Sequence, residues 1–201
     1  LGRVDFKLAD LGSLYISGSA HSTGFGTIEQ RVNERSRDNY TQFDAATNLE
    51  LGKLLPKKTG LSIPVYASIQ RTVSTPQYDP YDLDISLKDK IRGAASGKKD
   101  SIREDAIDVK TIKTLNFTNV KKNNTSGKKQ QLWSVENVDV SYSYYKEEQH
   151  NPLIESNELT RHRAGLGYNY SASPKYWEPM KKIFKSKSPW LSLIKDINLN
   201  Y

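Results

Sequence analysis

Apolar and polar residues alternate along much of the chain with a period of two. Between Leu61 and Arg71 every second residue is apolar, and a second clear run extends from Phe43 to Leu51. Successive side chains of a strand point to opposite faces of its sheet, so this pattern predicts β-strands with one apolar and one wet face. Further runs of this kind are Val4–Leu8, Leu14–Ala20, Leu115–Phe117, Val138–Tyr144, Ala164–Tyr170 and Ile197–Tyr201. Template matching thus gives about eight strands.

Two environments suit such strands. Several runs reach the roughly 9–11 residues that a tilted strand needs to cross a bilayer. Soluble β-sandwiches alternate in the same way, so the pattern alone leaves a soluble sandwich and a transmembrane barrel open. No apolar run is long enough for a spanning helix, and the sequence therefore excludes a helical membrane protein.

The predicted connections alternate in length over the first half of the chain. Those at Asp10–Gly12 and Lys53–Gly60 are short, whereas those at Ser22–Asn39 and Thr75–Lys113 are long. Outer-membrane barrels alternate tight turns with longer loops in this manner. The later connections, among them Glu147–Thr160, are intermediate in length, and the alternation is lost there.

Two segments change to helical spacing. Residues 75–113 form a long insertion in which Leu83, Leu87 and Ile91, and then Ile102, Ala106 and Val109, predict two short helices. These helices either gate or cap the protein or simply pack within a loop. Residues 174–189 place apolar side chains on one side and lysines around the other. This second segment is either an interfacial amphipathic helix or a helix packed on a sheet.

Composition and charge narrow the function classes. The 201 residues carry a net charge of +7 and no cysteine, which excludes disulfides, thiol nucleophiles and zinc–thiolate sites. The lysine pairs fall in predicted connections, where charge runs mark solvated turns, so we do not expect nucleic acid as a partner. The chain begins at Leu1 without a signal-peptide profile, and we expect it to be cut from a longer protein.

No motif predicts catalysis or a cofactor. The three histidines, His21, His150 and His162, lack metal-ligand spacing, and the aspartates at 79, 82 and 84 lack the pattern of a calcium loop. Gly24-Phe25-Gly26 is no phosphate loop, and no serine has a nucleophile-elbow context. We therefore expect neither an enzyme nor a bound cofactor or metal.

Aromatic residues gather near the predicted strand ends. Barrels carry aromatic girdles at such places, because the ring suits the membrane interface while its polar tip reaches water. In a sandwich the same rings would cover an edge of the core. The predicted interface aromatics are Trp133, Tyr144, Tyr170, Trp177 and Trp190.

Several stretches, in order along nearly the whole chain, resemble the SprA/Sov family of outer-membrane translocons of the Bacteroidetes type IX secretion system. They are VDFKLADLGSLYISG from Val4, GFGTIEQRVNERSR from Gly24, Leu49–Pro56, PQYDP from Pro76, NFTNVKK from Asn116, GLGYNYSASP from Gly165 and LIKDINLNY from Leu193. Ordered matches of this kind are far more specific than any single one. The resemblance implies an all-β fold: residues 1–201 would be an internal fragment of one large antiparallel transmembrane β-barrel, with short helices in its loops.

The resemblance also implies a function and an environment. The chain would help form the wall of a protein-conducting pore used in secretion and gliding motility, in the outer membrane of a Gram-negative Bacteroidetes bacterium. The implied partners are a PorV-type shuttle barrel, a plug protein, secreted cargo and outer-membrane lipid. The expected lumen-facing residues are Asp44, Glu50, Asp139, Arg163 and Asn169. The expected lipid-facing residues are Leu49, Ile63, Val65, Val140 and Leu166. The alternative is a soluble or surface β-sandwich-like domain that binds glycan or protein.

Overall fold

The computed structural model describes residues 1–26, 29, 36–125, 127, 131–171 and 196–200. Strands account for 66% of the residues that the structure describes, they are mostly antiparallel, and helices are few. The prediction of a mostly antiparallel β fold is confirmed. Among the described residues no helix is both long and apolar enough to span a membrane.

The strands are long and the helices short. The strands are β1 (Gly2–Leu8), β2 (Gly12–Phe25), β3 (Ser36–Glu50), β4 (Leu61–Ser62), β5 (Pro64–Pro76), β6 (Tyr78–Asp79), β7 (Asp82–Ser86), β8 (Asp108–Lys122), β9 (Val138–Asn151), β10 (Ile154–Ser171) and β11 (Asp196–Asn200). The α-helices are α1 (Leu87–Gly93) and α2 (Lys99–Ala106). Single 3-10 turns occur at Leu51–Leu54, Lys57–Thr59, Ser96–Lys98 and Val135–Asn137.

The main sheet follows the order of the sequence. Its strands lie in the order β1-β2-β3-β5-β8-β9-β10-β11, with β4 paired to β8 beside this path. The hairpin of β6 and β7 forms a separate two-stranded sheet. Each long strand is thus hydrogen-bonded to the next long strand in the chain. This arrangement is a β-meander.

The strand register sorts the residues of β1–β3 into two faces. Val4 lies opposite Ile16, which lies opposite Ala45. One residue earlier in β1, Arg3 lies opposite Ser17, and Ser17 lies opposite Asp44. Because directly paired residues share a face, the apolar residues of three strands lie together and the polar residues lie on the other side. The register therefore produces the two-faced sheet that the alternation predicts.

The chain divides into two compact units. One consists of residues 1–49, 65–116 and 143–162, and the other of residues 50–64, 117–142 and 163–201. The strands β8, β9 and β10 each contribute residues to both units.

Residues 77–107 form a small folded module within the first unit, which we call the insertion module. It contains the β6–β7 hairpin, α1 and α2. Ser86 caps α1 by accepting a hydrogen bond from the Asp89 amide, and Leu87 and Ala106 are buried. Asp79 is buried as well, and its carboxylate pairs with the Lys90 ammonium group.

The helices of the insertion module differ in extent from the predicted ones. Leu83 lies in β7 and Val109 lies in β8, so the helical spacing at both ends of this region is fortuitous. The structure also begins the module at residue 77 and ends it at residue 107, inside the predicted limits of 75 and 113.

The predicted connection Glu147–Thr160 is instead a continuation of β9 and β10, which are joined by a turn at Pro152 and Leu153. Polar residues occupy both faces there, so no alternation of apolar residues marks the strands. Ion pairs link the strands in this region, where apolar alternation is absent. The Nζ–Oε distances are 2.6 Å for Lys110–Glu147, 3.0 Å for Lys113–Glu148 and 2.8 Å for Lys146–Glu158.

Candidate functional site

The polar face of β1–β3 carries a network of charged and hydrogen-bonding side chains. Arg3 pairs with Asp5 at 3.0 Å, and its guanidinium lies 5.2 Å from the centre of the Tyr15 ring. Asp44 accepts hydrogen bonds from Gln42 at 2.8 Å and from Ser17 at 3.4 Å. This face is mixed in charge and suited to contact with water.

The opposite face of the same strands is apolar and uncovered. Val4, Phe6 and Phe43 retain 53%, 49% and 48% of their accessible surface. Monomeric soluble proteins rarely leave a contiguous apolar face open to water, so these residues indicate a surface made for another environment or another molecule.

The same division continues on β8–β10. On the polar side, Asn169 donates a 2.8 Å hydrogen bond to Asp139, and Ser143 donates one of 2.6 Å to Asn116. On the other side the rings of Tyr144 and His162 pack with their centroids 5.2 Å apart. Val140 and Leu166 fall on the Tyr144 side by strand alternation, and both are exposed.

The five predicted lumen-facing residues have different surroundings. Asp44, Asp139 and Asn169 lie in the hydrogen bonds just described, and Arg163 is exposed. Glu50 plays a local role, because its carboxylate accepts a 2.6 Å hydrogen bond from the Ile63 amide. Glu50 thus fixes the turn between β3 and β5.

The five predicted lipid-facing residues also differ. Val140 and Leu166 are exposed, and Leu49 and Ile63 are half-buried. Val65 is buried, at 8% exposure. Orientation toward lipid stays a prediction for these positions, and Val140 and Leu166 are the ones best placed to test it.

Among the predicted interface aromatics that the structure describes, Trp133 is the most exposed, at 79%, in the turn that precedes β9. Tyr144 and Tyr170 are half-buried on their strands. Trp177 and Trp190, together with the predicted helix at residues 174–189, lie outside the described residues.

Two side chains fasten the insertion module to the β9–β10 hairpin. The Tyr81 hydroxyl donates to the carbonyl of Pro152 at 3.0 Å and to that of Asp105 at 3.4 Å. His150 lies with Nδ1 2.6 Å from the Glu155 carbonyl and with Nε2 2.9 Å from the Glu104 carbonyl. Two of these four contacts, Tyr81–Pro152 and His150–Glu104, join the module to the hairpin, and we call the set the Tyr81–His150 latch.

The geometry of the latch favours a charged histidine. Both ring nitrogens face carbonyl oxygens, which only accept hydrogen bonds, and only the imidazolium has two N–H donors. The hydrogen bonds to the carbonyls of Glu155 and Glu104 raise the pKa of His150 above its ordinary value, and the charges of Asp105 and Glu104 act in the same direction. The Glu104 carbonyl also belongs to the last turn of α2, where a positive charge is favourable.

The sequence patterns do not reveal the latch or the side-chain clusters on β8–β10. His150 and Tyr81 are 69 positions apart, and neither lies in a periodic run. No group of three or more His, Asp or Glu side chains within the described ranges could hold a metal ion.

One comparison with known proteins identifies a family. Residues 1–91 match the SprA_N family model, described as a motility related/secretion protein. No curated protein matches the chain. The matched residues comprise β1 to α1, including the two-faced strands β1–β3. By this match residues 1–91 are similar to the SprA family of motility-related and secretion proteins, in agreement with the resemblance found in the sequence.

Proposed function

We propose that this chain forms part of the wall of a protein-conducting outer-membrane β-barrel, the translocon of type IX secretion and gliding motility in a Bacteroidetes bacterium. The main observation in support is that the same strands have an exposed apolar face and a hydrogen-bonded polar face. In a barrel wall, lipid would cover the first face and water would fill the space beside the second.

The apolar face argues for lipid over a second protein layer. In a soluble β-sandwich the apolar faces of two sheets pack against each other and form the core. Here Phe6, Phe43 and Leu166 are about half exposed. In a bilayer such side chains need no protein cover, since acyl chains provide it.

The strand lengths support the same function. Strands of ~9–11 residues suffice to cross a bilayer, whereas β3 has 15 residues and β10 has 18. The surplus length is found where β9 and β10 become polar on both faces and are held by ion pairs. In the proposed barrel this hairpin projects beyond the membrane into water.

The proposed role implies cargo and partners. Secreted polypeptides would pass along the polar face, and a PorV-type shuttle barrel and a plug protein would bind the complete translocon. A surface of mixed charge such as Arg3, Asp5 and Asp44 offers passing cargo hydration without one dominant charge. The family description of motility and secretion supports this role.

Site-specific photocrosslinking in secreting cells tests the proposal. A photoreactive residue is placed at Asp44 or at Asp139, on the polar face, in the full-length protein at its natural expression level. We expect secreted cargo to crosslink to both positions, because they would line the conducting space.

The adjacent apolar positions provide the matched controls. Phe43 neighbours Asp44 and Val140 neighbours Asp139, so each pair shares its depth and differs in face. The probe at these controls should capture no cargo. Equal crosslinking from both faces, or cargo captured only from Phe43 and Val140, would refute the proposed wall.

A further inference from the structure

A polar cavity of about 480 Å³ lies within the second unit, beside the polar face of β8–β10. Its volume falls within the range of roughly 300–1,000 Å³ that is usual for small-molecule sites. It is lined chiefly by Asn119, Lys121, Glu136, Asn137, Asp139 and Asn169. Neither the motif search nor the proposed wall function accounts for this grouping of three asparagines, two acids and a lysine.

The backbone adopts a left-handed conformation at one edge of the cavity. Asn119 has a φ of +52°, which non-glycine residues rarely adopt. Its amide donates a 3.0 Å hydrogen bond to the Ser141 side chain. Asparagine is one of the few non-glycine residues that adopt this conformation readily, because its short polar side chain can form local hydrogen bonds.

A second feature is the side chain of Asn137, which is buried at 2% exposure. Its Nδ2 donates to the carbonyls of Gln131 and Leu132, at 2.8 and 3.2 Å. Its Oδ1 has no hydrogen-bond partner among the described residues. Buried amide oxygens nearly always have a partner, so this oxygen is an unusual feature of a residue that lines the cavity.

The Asp139 carboxylate is held in place from two sides. It accepts the hydrogen bond of Asn169, and Gly167 lies beside it. A Cβ atom at position 167 would lie 2.5 Å from each carboxylate oxygen. Glycine at this position therefore leaves room for the carboxylate in its observed orientation.

The donors and acceptors of the lining restrict the ligand. Carboxylates at Glu136 and Asp139 disfavour an anion, and the ammonium group of Lys121 disfavours a free metal cation. Hydroxyl groups both donate and accept, so they match acceptor-rich asparagine and carboxylate groups and a lysine donor together. We propose that this cavity binds a hydroxyl-rich ligand of the saccharide class.

The test uses the full chain, purified in a detergent without a sugar headgroup. Saturation-transfer NMR and titration calorimetry are run with N-acetylglucosamine, galactose and mannose, and separately with calcium chloride. We expect at least one sugar to bind. Asp139→Asn should weaken that binding at least tenfold, because it removes the charged acceptor and keeps the side-chain shape.

Two further variants keep the test decisive. Glu136→Gln lies in the turn before β9 and should also weaken sugar binding, even if Asp139→Asn fails to fold. Asp44→Asn, an equivalent change on the polar face of β3, should bind sugar as the unmodified chain does. Absence of binding by all three sugars, binding of calcium alone, or full affinity in both Asp139→Asn and Glu136→Gln would overturn the proposal. The site does not depend on the proposed translocon role, since sugar binding and cargo crosslinking are measured separately.

Discussion

At the scale of single residues, the Tyr81–His150 latch is the most specific arrangement outside the sheet faces. Two side chains join α2 to the β9–β10 hairpin through backbone carbonyls, so the contact depends little on the side chains of Glu104, Asp105 or Glu155. Such a contact is strong while His150 is charged and loses a donor when it is neutral. In the proposed barrel this hairpin would lie outside the membrane, where pH changes reach the ring.

The latch should weaken as pH rises. Because folding raises the pKa of His150, its stabilising effect is complete below the ordinary histidine pKa of about 6.5. It is lost as pH climbs through the raised value. Hydrogen exchange of the α1 and α2 amides, corrected for the intrinsic rate, should show greater protection at about pH 5.5 than at about pH 8.5.

Histidine variants test whether the pH dependence of amide protection comes from His150 or from the protein in general. His150→Asn should abolish the pH dependence and should lower the protection of the α1 and α2 amides at low pH, because the charged donor is lost. His162→Asn, a histidine change elsewhere in the same unit, should leave the pH dependence intact. Protection that is independent of pH in the unmodified chain would refute the latch as a charged contact.

At the scale of elements, the strands β1–β3 each have one apolar face and one polar face. The register of β1–β3 fixes this separation, because a slip of one residue would exchange every apolar and polar position. The outer part of the β9–β10 hairpin does not have this separation into an apolar and a polar face. There both faces are polar, and an ion pair between Lys146 and Glu158 joins the two strands.

An arginine should be tolerated on only one face of β2. Ile16 lies on the apolar face, opposite Val4 and Ala45, whereas Ser19 lies on the polar face, opposite Gln42. Ile16→Arg should cost roughly 2–4 kcal/mol if the residue faces the middle of a bilayer, and Ser19→Arg should cost much less. Unfolding of the protein by denaturant in lipid vesicles measures both costs. Similar values for the two variants would mean that the apolar face does not meet lipid.

At the scale of the whole molecule, the proposed function makes stability depend on the solvent. An open apolar face and strand edges without partners promote aggregation in water. The first strand of the described sheet, β1, pairs on one side only. Lipid or detergent would cover the face, and a complete barrel would pair the edges.

We therefore expect the chain to aggregate in detergent-free buffer and to remain dispersed in detergent. Size-exclusion chromatography and circular dichroism distinguish the two outcomes. A monodisperse monomer with a cooperative melting transition in plain buffer would contradict the barrel-wall function. It would favour the alternative of a soluble or surface β-domain.

The sequence by itself determined the main strands and their two faces. A period of two is a local property of a strand. Residues two positions apart, such as Val4 and Phe6, point to the same face whatever the rest of the fold is. The order of the SprA-like stretches likewise needed no structure, and the SprA_N match over residues 1–91 agrees with it. The helical spacing of residues 83–109 was informative in part, since α1 and α2 occupy its centre.

Only the tertiary structure revealed the hairpin pairing, the polar cavity and the latch, because each of them depends on residues that are distant in sequence. The outer part of the β9–β10 hairpin has no apolar periodicity, and its two strands are joined by charges such as Lys146 with Glu158. The polar cavity joins Asn119, Asn137 and Asn169 from three separate segments. The latch joins Tyr81 to His150 through backbone carbonyls, which carry no residue signature. Local pattern predicts which face a side chain takes, whereas the partner that it meets is set by strand register and packing.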